Sequence, residues 1–159
     1  SASIADFKRQ KRYRLMWMGT KYEPGTVKVV AYNEKGDAVA EKEIHTAGKP
    51  DHIELVADRN EIKADGKDLS FVTVRVVDKE GNLCPDAQHL IKYAVKGAGT
   101  YRAGANGDPT SLELFHVPQM KVFNGMMTAV VQSTDKPGEI TLTATGKGLK
   151  SGRLVLISK

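Results

Sequence analysis

An alternation of apolar and polar residues with a period of two runs through almost the whole chain and constrains its fold more than any other feature. Successive side chains of a β-strand point to opposite faces, so this alternation is typical of strands with one buried face. Helical spacing is scarce, and the pattern predicts an all-β protein. The predicted strands are residues 13–17, 26–32, 39–46, 53–57, 69–77, 90–95, 99–103, 125–132, 139–145 and 153–157.

Short clusters of Gly, Pro, Asn and Asp separate these strands. Gly supplies a positive φ and Pro fixes φ near −65°, so each cluster reverses the chain without strain. Many short strands at this spacing favour a β-sandwich. The predicted turns are residues 23–25, 34–37, 64–67, 79–82, 106–109 and 136–138.

The segment Ala47-Gly48-Lys49-Pro50 interrupts the alternation and predicts a domain boundary. Seven predicted strands follow it, enough for a complete sandwich over residues 49–159. Three strands precede it, and they cannot close a two-layer core. We therefore interpret residues 1–48 as the C-terminal strands of an incomplete unit.

The incomplete unit should expose apolar side chains that a missing second sheet would otherwise cover. Such faces and unpaired edges invite contact with other chains, so residues 1–48 are expected to pack on the second domain or to self-associate. The predicted exposed face comprises Trp17, Val27, Val29 and Tyr32.

Composition argues against nucleic acid and membrane partners. The net charge is +5, but five of the 24 basic residues lie between Lys8 and Arg14, and the rest of the chain has as many acidic as basic residues. A phosphate-binding groove needs basic residues spread over a face. No apolar run approaches the roughly 20 residues of a membrane helix, and the first residues lack the order of a signal peptide.

The sequence gives no pattern of a catalytic, metal or cofactor site. The four histidines are scattered, and Cys84 is the single cysteine, so a zinc site is not expected. Asp65 with Asp68, or Asn106 with Asp108, could offer oxygen ligands to calcium, but Asx residues beside Gly are more often turn formers. Ser111 and Cys84 have no neighbouring base.

One grouping could contact carbohydrate or a protein interface. Sugar sites combine flat apolar walls with a few placed polar groups. The candidates are Tyr101, Asn106, Asp108, Glu113, Phe115 and His116, with Gln119 nearby. Glu113 is the most tempting carboxylate, although its simpler interpretation is a solvent-facing residue paired with a Lys. Aromatic residues are few, and Phe71, Tyr93 and Phe123 occupy alternating positions that a core would claim, so a scaffold or interface role is favoured.

Several motifs together resemble the C-terminal immunoglobulin-like region of bacterial family 2 glycoside hydrolases of the β-galactosidase type. In the first unit they are residues 13–17, 22–32 and 39–46. In the second unit they are residues 57–59 and 64–69, the 76–82 hairpin, the 104–109 loop leading to Glu113, the 123–125 turn and the closing 146–149 segment.

The resemblance implies an immunoglobulin-like β-sandwich preceded by an incomplete immunoglobulin-like unit, without cofactor. Such enzymes use two glutamates about 5 Å apart for retaining hydrolysis of O-glycosyl bonds, and the resemblance places both in an upstream barrel. This chain would then be a non-catalytic accessory region acting in structural support, subunit contact or substrate positioning. Its partners would be the remaining domains of a periplasmic or secreted parent glycosidase.

Two alternatives belong to other functional classes. Invasin-like adhesion proteins stack bacterial immunoglobulin-like domains and contain the Ala64-Asp65-Gly66 turn. A dedicated carbohydrate-binding immunoglobulin-like module is the second alternative.

Overall fold

The computed structural model describes residues 19–159, which contain eleven β-strands and no helix. No helix within this part of the chain is therefore long and apolar enough to span a membrane. The strands are β1 (Thr26–Tyr32), β2 (Ala38–His45), β3 (His52–Ala57), β4 (Glu61–Ile62), β5 (Leu69–Val77), β6 (Leu90–Gly97), β7 (Gly99–Ala105), β8 (Gln119–Lys121), β9 (Met126–Ser133), β10 (Gly138–Gly146) and β11 (Gly152–Ser158).

The all-β prediction is confirmed, and every strand predicted within the described residues is present to within two residues at either end. The predicted strand at residues 13–17 lies outside them. The sequence did not reveal β4 and β8, which are two and three residues long. Strands this short show too little alternation to be recognised from a pattern with a period of two.

Strands β3 to β11 form two sheets that face each other. One sheet has four strands in the order β3-β5-β9-β7, and the other has five in the order β4-β11-β10-β6-β8. All neighbouring strands are antiparallel except β4 and β11, which pair in parallel through Glu61 with Ile157 and Ile62 with Ser158. The arrangement is a β-sandwich, as the sequence predicts.

The core lies between the inner faces of these sheets. On β5, Val72, Val74 and Val76 are fully buried, and the register places Val72 opposite Ala129 on β9. Fully burying such an aliphatic side chain stabilises the fold by about 1.5–3 kcal/mol. The facing sheet contributes buried residues from all five of its strands: Ile62, Ile91, Tyr93, Met120, Ile140, Leu142, Ala144 and Leu156.

Two tyrosines join the sheets at one side of the core. Tyr93 on β6 and Tyr101 on β7 stack with ring centroids 5.5 Å apart and an interplanar angle of 13°. The Tyr93 hydroxyl donates to the Met127 sulfur at 2.8 Å, and burial raises the pKa of Tyr93 above its usual value. The pair therefore links one strand of each sheet through apolar and polar contacts.

The described chain divides into two compact units between Ile44 and His45. The sandwich belongs to the second unit. The first contains the hairpin of β1 and β2, whose Lys28 ammonium forms ion pairs with Glu41 at 3.0 Å and Glu43 at 3.1 Å. These ion pairs mark one face of the hairpin as polar.

A buried carboxylate fastens the start of the second unit to the turn after β5. Asp78 is 2% exposed. Its Oδ2 accepts hydrogen bonds from the Gly48 amide at 2.7 Å and the Asn82 side chain at 3.1 Å. Its Oδ1 accepts from the Glu80 and Asn82 amides at 3.1 and 2.8 Å. These hydrogen bonds lower the pKa of Asp78 to about 2, and the bond from the Gly48 amide has the largest effect.

Replacing Asp78 with Asn should destabilise the sandwich at neutral pH. Each carboxylate oxygen of Asp78 accepts two hydrogen bonds, and the NH₂ group of Asn cannot accept the two that reach the oxygen it replaces. The ionised carboxylate contributes its full stability above the ordinary pKa of 3.8, and this contribution is lost as pH falls through about 2. Asp78→Asn should therefore lower the urea midpoint at pH 7 and lose less stability than the parent chain on acidification. Urea titrations at several pH values measure both effects. The exposed neighbour Asp86 provides the control Asp86→Asn, and parallel acid profiles for Asp78→Asn and the parent chain would contradict the assignment.

Two glycines with similar backbone angles should respond differently to substitution. Gly97 has φ +90°, and an added Cβ would overlap the carbonyl oxygen of Glu139. Gly148 has φ +79° and open space around it. Gly97→Ala should cost about 3 kcal/mol from backbone strain and overpacking together, whereas Gly148→Ala should cost about 1 kcal/mol from strain alone. Urea unfolding of both variants checks the difference, and equal costs would show that the β10 backbone moves aside.

Candidate functional site

A cleft of about 340 Å³ lies where the segment between β7 and β8 meets the residues just before β6 and the end of β8 with the turn that follows it. We call it the loop cleft. It combines an aromatic ring, two carboxylates, two side-chain amides and an ammonium group. Its lining residues are Gln88, Asn106, Asp108, Ser111, Glu113, Lys121, Val122 and Phe123.

The first part of the cleft wall is a turn built by Asx residues. The Asn106 side-chain oxygen accepts from the Asp108 amide at 3.0 Å. Asp108 Oδ1 accepts from the Thr110 amide at 2.8 Å and the Thr110 hydroxyl at 2.7 Å. Both hydrogen bonds lower the pKa of Asp108, and the bond from the Thr110 amide has the larger effect. The turn interpretation of this Asn-Gly-Asp-Pro sequence thus matches its geometry.

Two side chains of the cleft bind the main chain of the edge strand β8. Both carboxylate oxygens of Glu113 accept from the Lys121 amide, at 3.1 and 3.2 Å. The Asn106 amide donates to the Lys121 carbonyl at 3.0 Å. β8 pairs with β6 on one side, and no strand of residues 19–159 pairs with it on the other. The sequence suggested that Glu113 would pair with a Lys side chain, but its carboxylate instead accepts the main-chain amide of Lys121. At this edge it therefore serves as the acceptor that a neighbouring strand would provide.

Of the residues predicted from the sequence, Asn106, Asp108 and Glu113 meet in the loop cleft. Tyr101 does not line it, because its ring stacks on Tyr93 and its hydroxyl donates to the Phe115 carbonyl at 3.4 Å. Phe115 and His116 are exposed outside the cleft, and Gln119 is exposed on β8.

The sequence did not assign four of the lining residues to a site: Gln88, Lys121, Val122 and Phe123. The assignment of Phe123 and Phe71 to the core is wrong, since they are 38% and 46% exposed, whereas Tyr93 is buried. On β5, Ser70 and Val72 point inward, so the alternation turns Phe71 outward. Phe123 precedes the turn residue Asn124, whose φ is +50°, and a turn does not follow the strand period.

The loop also carries an apolar ridge, by which we mean Leu112, Leu114 and Phe115. Their side chains are 95%, 61% and 62% exposed. The Phe115 carbonyl is held by the Gly104 amide at 2.8 Å, so the ridge has a fixed attachment to β7. Groups of exposed apolar side chains are typical of surfaces that contact other proteins or domains.

The face predicted for the first unit lies on the hairpin, apart from Trp17, which is outside the described residues. Val27, Val29 and Tyr32 are 61%, 42% and 64% exposed. Strand alternation places Val27 and Val29 on the face opposite the Lys28 ion pairs, together with Ile44 of β2, and places Tyr32 on the same face as Lys28. One face of the hairpin is therefore mainly apolar.

The carboxylates elsewhere in the sandwich also serve local structure. Asp65 Oδ1 accepts the Lys67 and Asp68 amides at 2.9 and 2.8 Å, and Asp68 accepts the Lys63 amide at 2.8 Å; these bonds lower the pKa of both groups. Within residues 19–159, no three His, Cys, Asp or Glu side chains come together in a way that could hold a metal ion.

Comparison with known proteins gives two family matches. The model of glycoside hydrolase family 2 C-terminal domain 5 matches residues 53–155. A domain of unknown function (DUF4982) matches residues 2–40. The two matches fall on either side of the segment between the hairpin and the sandwich.

Curated relatives and solved structures agree with the first match. The β-galactosidase BoGH2A of Bacteroides ovatus is 52% identical over 134 residues, which are 84% of this chain and 16% of that protein. A β-galactosidase of Thermoanaerobacter pseudethanolicus is 38% identical over 69% of this chain and 13% of its own length. The crystal structure of a glycosyl hydrolase family 2 member from Bacteroides cellulosilyticus superposes with a TM-score of 0.82 at 35% identity, covering 88% of this chain and 18% of that one.

The chain thus spans less than one fifth of the length of these relatives. The family 2 model nevertheless covers well over half of the chain, and the fold of the sandwich agrees with the solved family 2 structures. The resemblance inferred from the sequence is confirmed: this chain belongs to the glycoside hydrolase family 2 C-terminal domain 5 family.

Proposed function

We propose that this chain is a non-catalytic C-terminal accessory region of a larger glycosidase of the β-galactosidase type. In this role it braces the rest of the enzyme through surfaces on rigid sheets and loops. The similarity to two β-galactosidases supports the class of parent enzyme, and it favours a glycosidase over the adhesion alternative. The hydrolysis of O-glycosyl bonds is assigned to the part of the enzyme outside this chain.

The apolar ridge is the observation that carries this proposal. Leu112, Leu114 and Phe115 project from a loop whose polar residues are turned into the cleft and bonded there. Fully burying each of these side chains would contribute about 1.5–3 kcal/mol. The occupant we propose is another domain of the same polypeptide, since most of the length of the relatives lies outside the matched region.

The hairpin of the first unit supports a second contact of the same kind. A two-stranded hairpin is marginally stable by itself, and here Val27, Val29 and Ile44 share an exposed face. We propose that the preceding part of the parent polypeptide covers this face. The separate family match over residues 2–40 supports a domain distinct from the sandwich. Self-association through the hairpin is the alternative outcome.

The chain alone should not hydrolyse an aryl β-galactoside, because the cleft carboxylates Asp108 and Glu113 are bonded within their own loop and to β8. The whole enzyme should release the aryl group under the same conditions. A chromogenic assay on both proteins tests this partition of roles. Turnover by the purified chain that tracks its concentration would overturn it.

Removing the apolar ridge should destabilise the whole enzyme without destabilising the chain alone. The triple change Leu112→Ser, Leu114→Ser and Phe115→Ser alters exposed side chains, so the urea midpoint of the isolated chain should stay nearly constant. In the whole enzyme the same change should increase the release of this region by limited proteolysis, because buried apolar contacts are lost.

The matched control changes two apolar side chains on the outer face of β11. Val155 and Ile157 are 39% and 41% exposed, and Val155→Ser with Ile157→Ser should leave proteolysis of the whole enzyme unchanged. Equal effects of the two sets, or no effect of the ridge variant on the enzyme, would show that the ridge is not a docking surface.

A further inference from the structure

We propose that the loop cleft binds one pyranose unit of a neutral oligosaccharide. This inference goes beyond the accessory role, because a domain could brace an enzyme without contacting its sugar. It assigns a ligand to a site on this chain itself. The site can therefore be tested on the isolated chain, independently of any docking to other domains.

The shape of the cleft fits a small, partly apolar ligand. Its volume of about 340 Å³ is near the lower end of the range for ligand pockets, about 300–1,000 Å³. Phe123 lines it and keeps 38% of its surface exposed, while the neighbouring Val122 is buried. A pyranose has one face of C–H groups, and packing this face on the Phe123 ring removes apolar surface of both from water.

The polar groups available in the cleft match a ring of hydroxyls. Asp108 uses only Oδ1 in its turn, so Oδ2 remains an acceptor. Within residues 19–159, the Gln88 amide and the Lys121 ammonium make no hydrogen bond to other side chains or to the backbone, and both residues are exposed. A sugar hydroxyl both donates and accepts, and it can therefore bridge such unlike neighbours.

The internal hydrogen bonds of the loop hold this arrangement in place. Asn106 and Glu113 are tied to the Lys121 backbone, and Asp108 is tied to Thr110. A loop that becomes ordered upon binding loses conformational entropy, and this loss reduces affinity. Because the wall of the cleft is already fixed, this cost is small, and a ligand with few contacts, such as a sugar, can still bind.

The charge of the cleft selects against acidic ligands. Two carboxylates, of Asp108 and Glu113, face one ammonium group, that of Lys121. An anionic sugar such as a uronic acid would meet net negative charge, whereas a neutral hexose would offer hydroxyl donors to the carboxylates. The apolar ridge is not part of the lining, since Ser111 and Glu113 line the cleft and the intervening Leu112 does not.

Titration of the isotope-labelled chain with lactose, followed by amide NMR spectra, tests the proposal. Saturable shifts should concentrate on Gln88, Ser111, Lys121 and Phe123, with millimolar affinity. Galacturonate should bind more weakly than methyl β-D-galactoside, because it adds a negative charge. Phe123→Ala should weaken binding about tenfold, equivalent to ~1.4 kcal/mol.

The control is Phe71→Ala, which removes a similarly exposed ring from the outer face of the other sheet and should leave lactose affinity unchanged. Gln88→Ala, at an exposed polar position, gives a second test if loss of Phe123 disturbs the turn. It should weaken lactose binding and leave the dispersion of the amide spectrum unchanged.

The proposal is overturned if lactose causes no saturable shift in the cleft, if galacturonate binds equally well, or if the control weakens binding as much as Phe123→Ala. None of these outcomes bears on whether the apolar ridge docks to another domain.

Discussion

The structure depends on the mutual covering of two apolar sheet faces. Neither the four-stranded nor the five-stranded sheet has another partner for its inner residues in the described chain, so each is stable only against the other. The fully buried stripe of Val72, Val74 and Val76 on β5 is central to this contact. Because burial occupies one side of each strand, the outer sides and the connecting loops are left to make contacts with other molecules.

Acidic side chains perform a common task in these loops. Asp58, Asp65, Asp68, Asp78 and Asp108 each accept at least one main-chain amide, and Glu113 does the same at a distance of eight residues. A carboxylate with two oxygens can satisfy several amides where no strand lies alongside. This use explains how loops without regular structure can present the ridge and the cleft in fixed positions.

The strands were predictable because burial on one face imposes a period of two on the sequence, as in β5. The short strands β4 and β8 escaped because they are defined by their partners and not by their own pattern. The site was predictable in part: Asn106, Asp108 and Glu113 follow one another along a single loop, and turn chemistry groups them. Lys121 joins them through the bonds of its main chain to Asn106 and Glu113, and Phe123 follows it in the chain. Gln88 joins them through the pairing of β6 with β8, which places Leu90 opposite Lys121 and which no local pattern reveals. Phe71 was misassigned because an aromatic residue in an alternating run does not by itself indicate which face is inside.

The parallel pairing of β4 with β11 has a consequence for the synthesis of the protein. It joins Glu61 to Ile157, which are separated by nearly the whole length of the sandwich. During translation β4 leaves the ribosome long before its partner exists, and the loop between them must close at an entropic cost that increases with its length. The five-stranded sheet can therefore be completed only after β11 has emerged, and until then β10 lacks the partner along the edge that β11 later occupies.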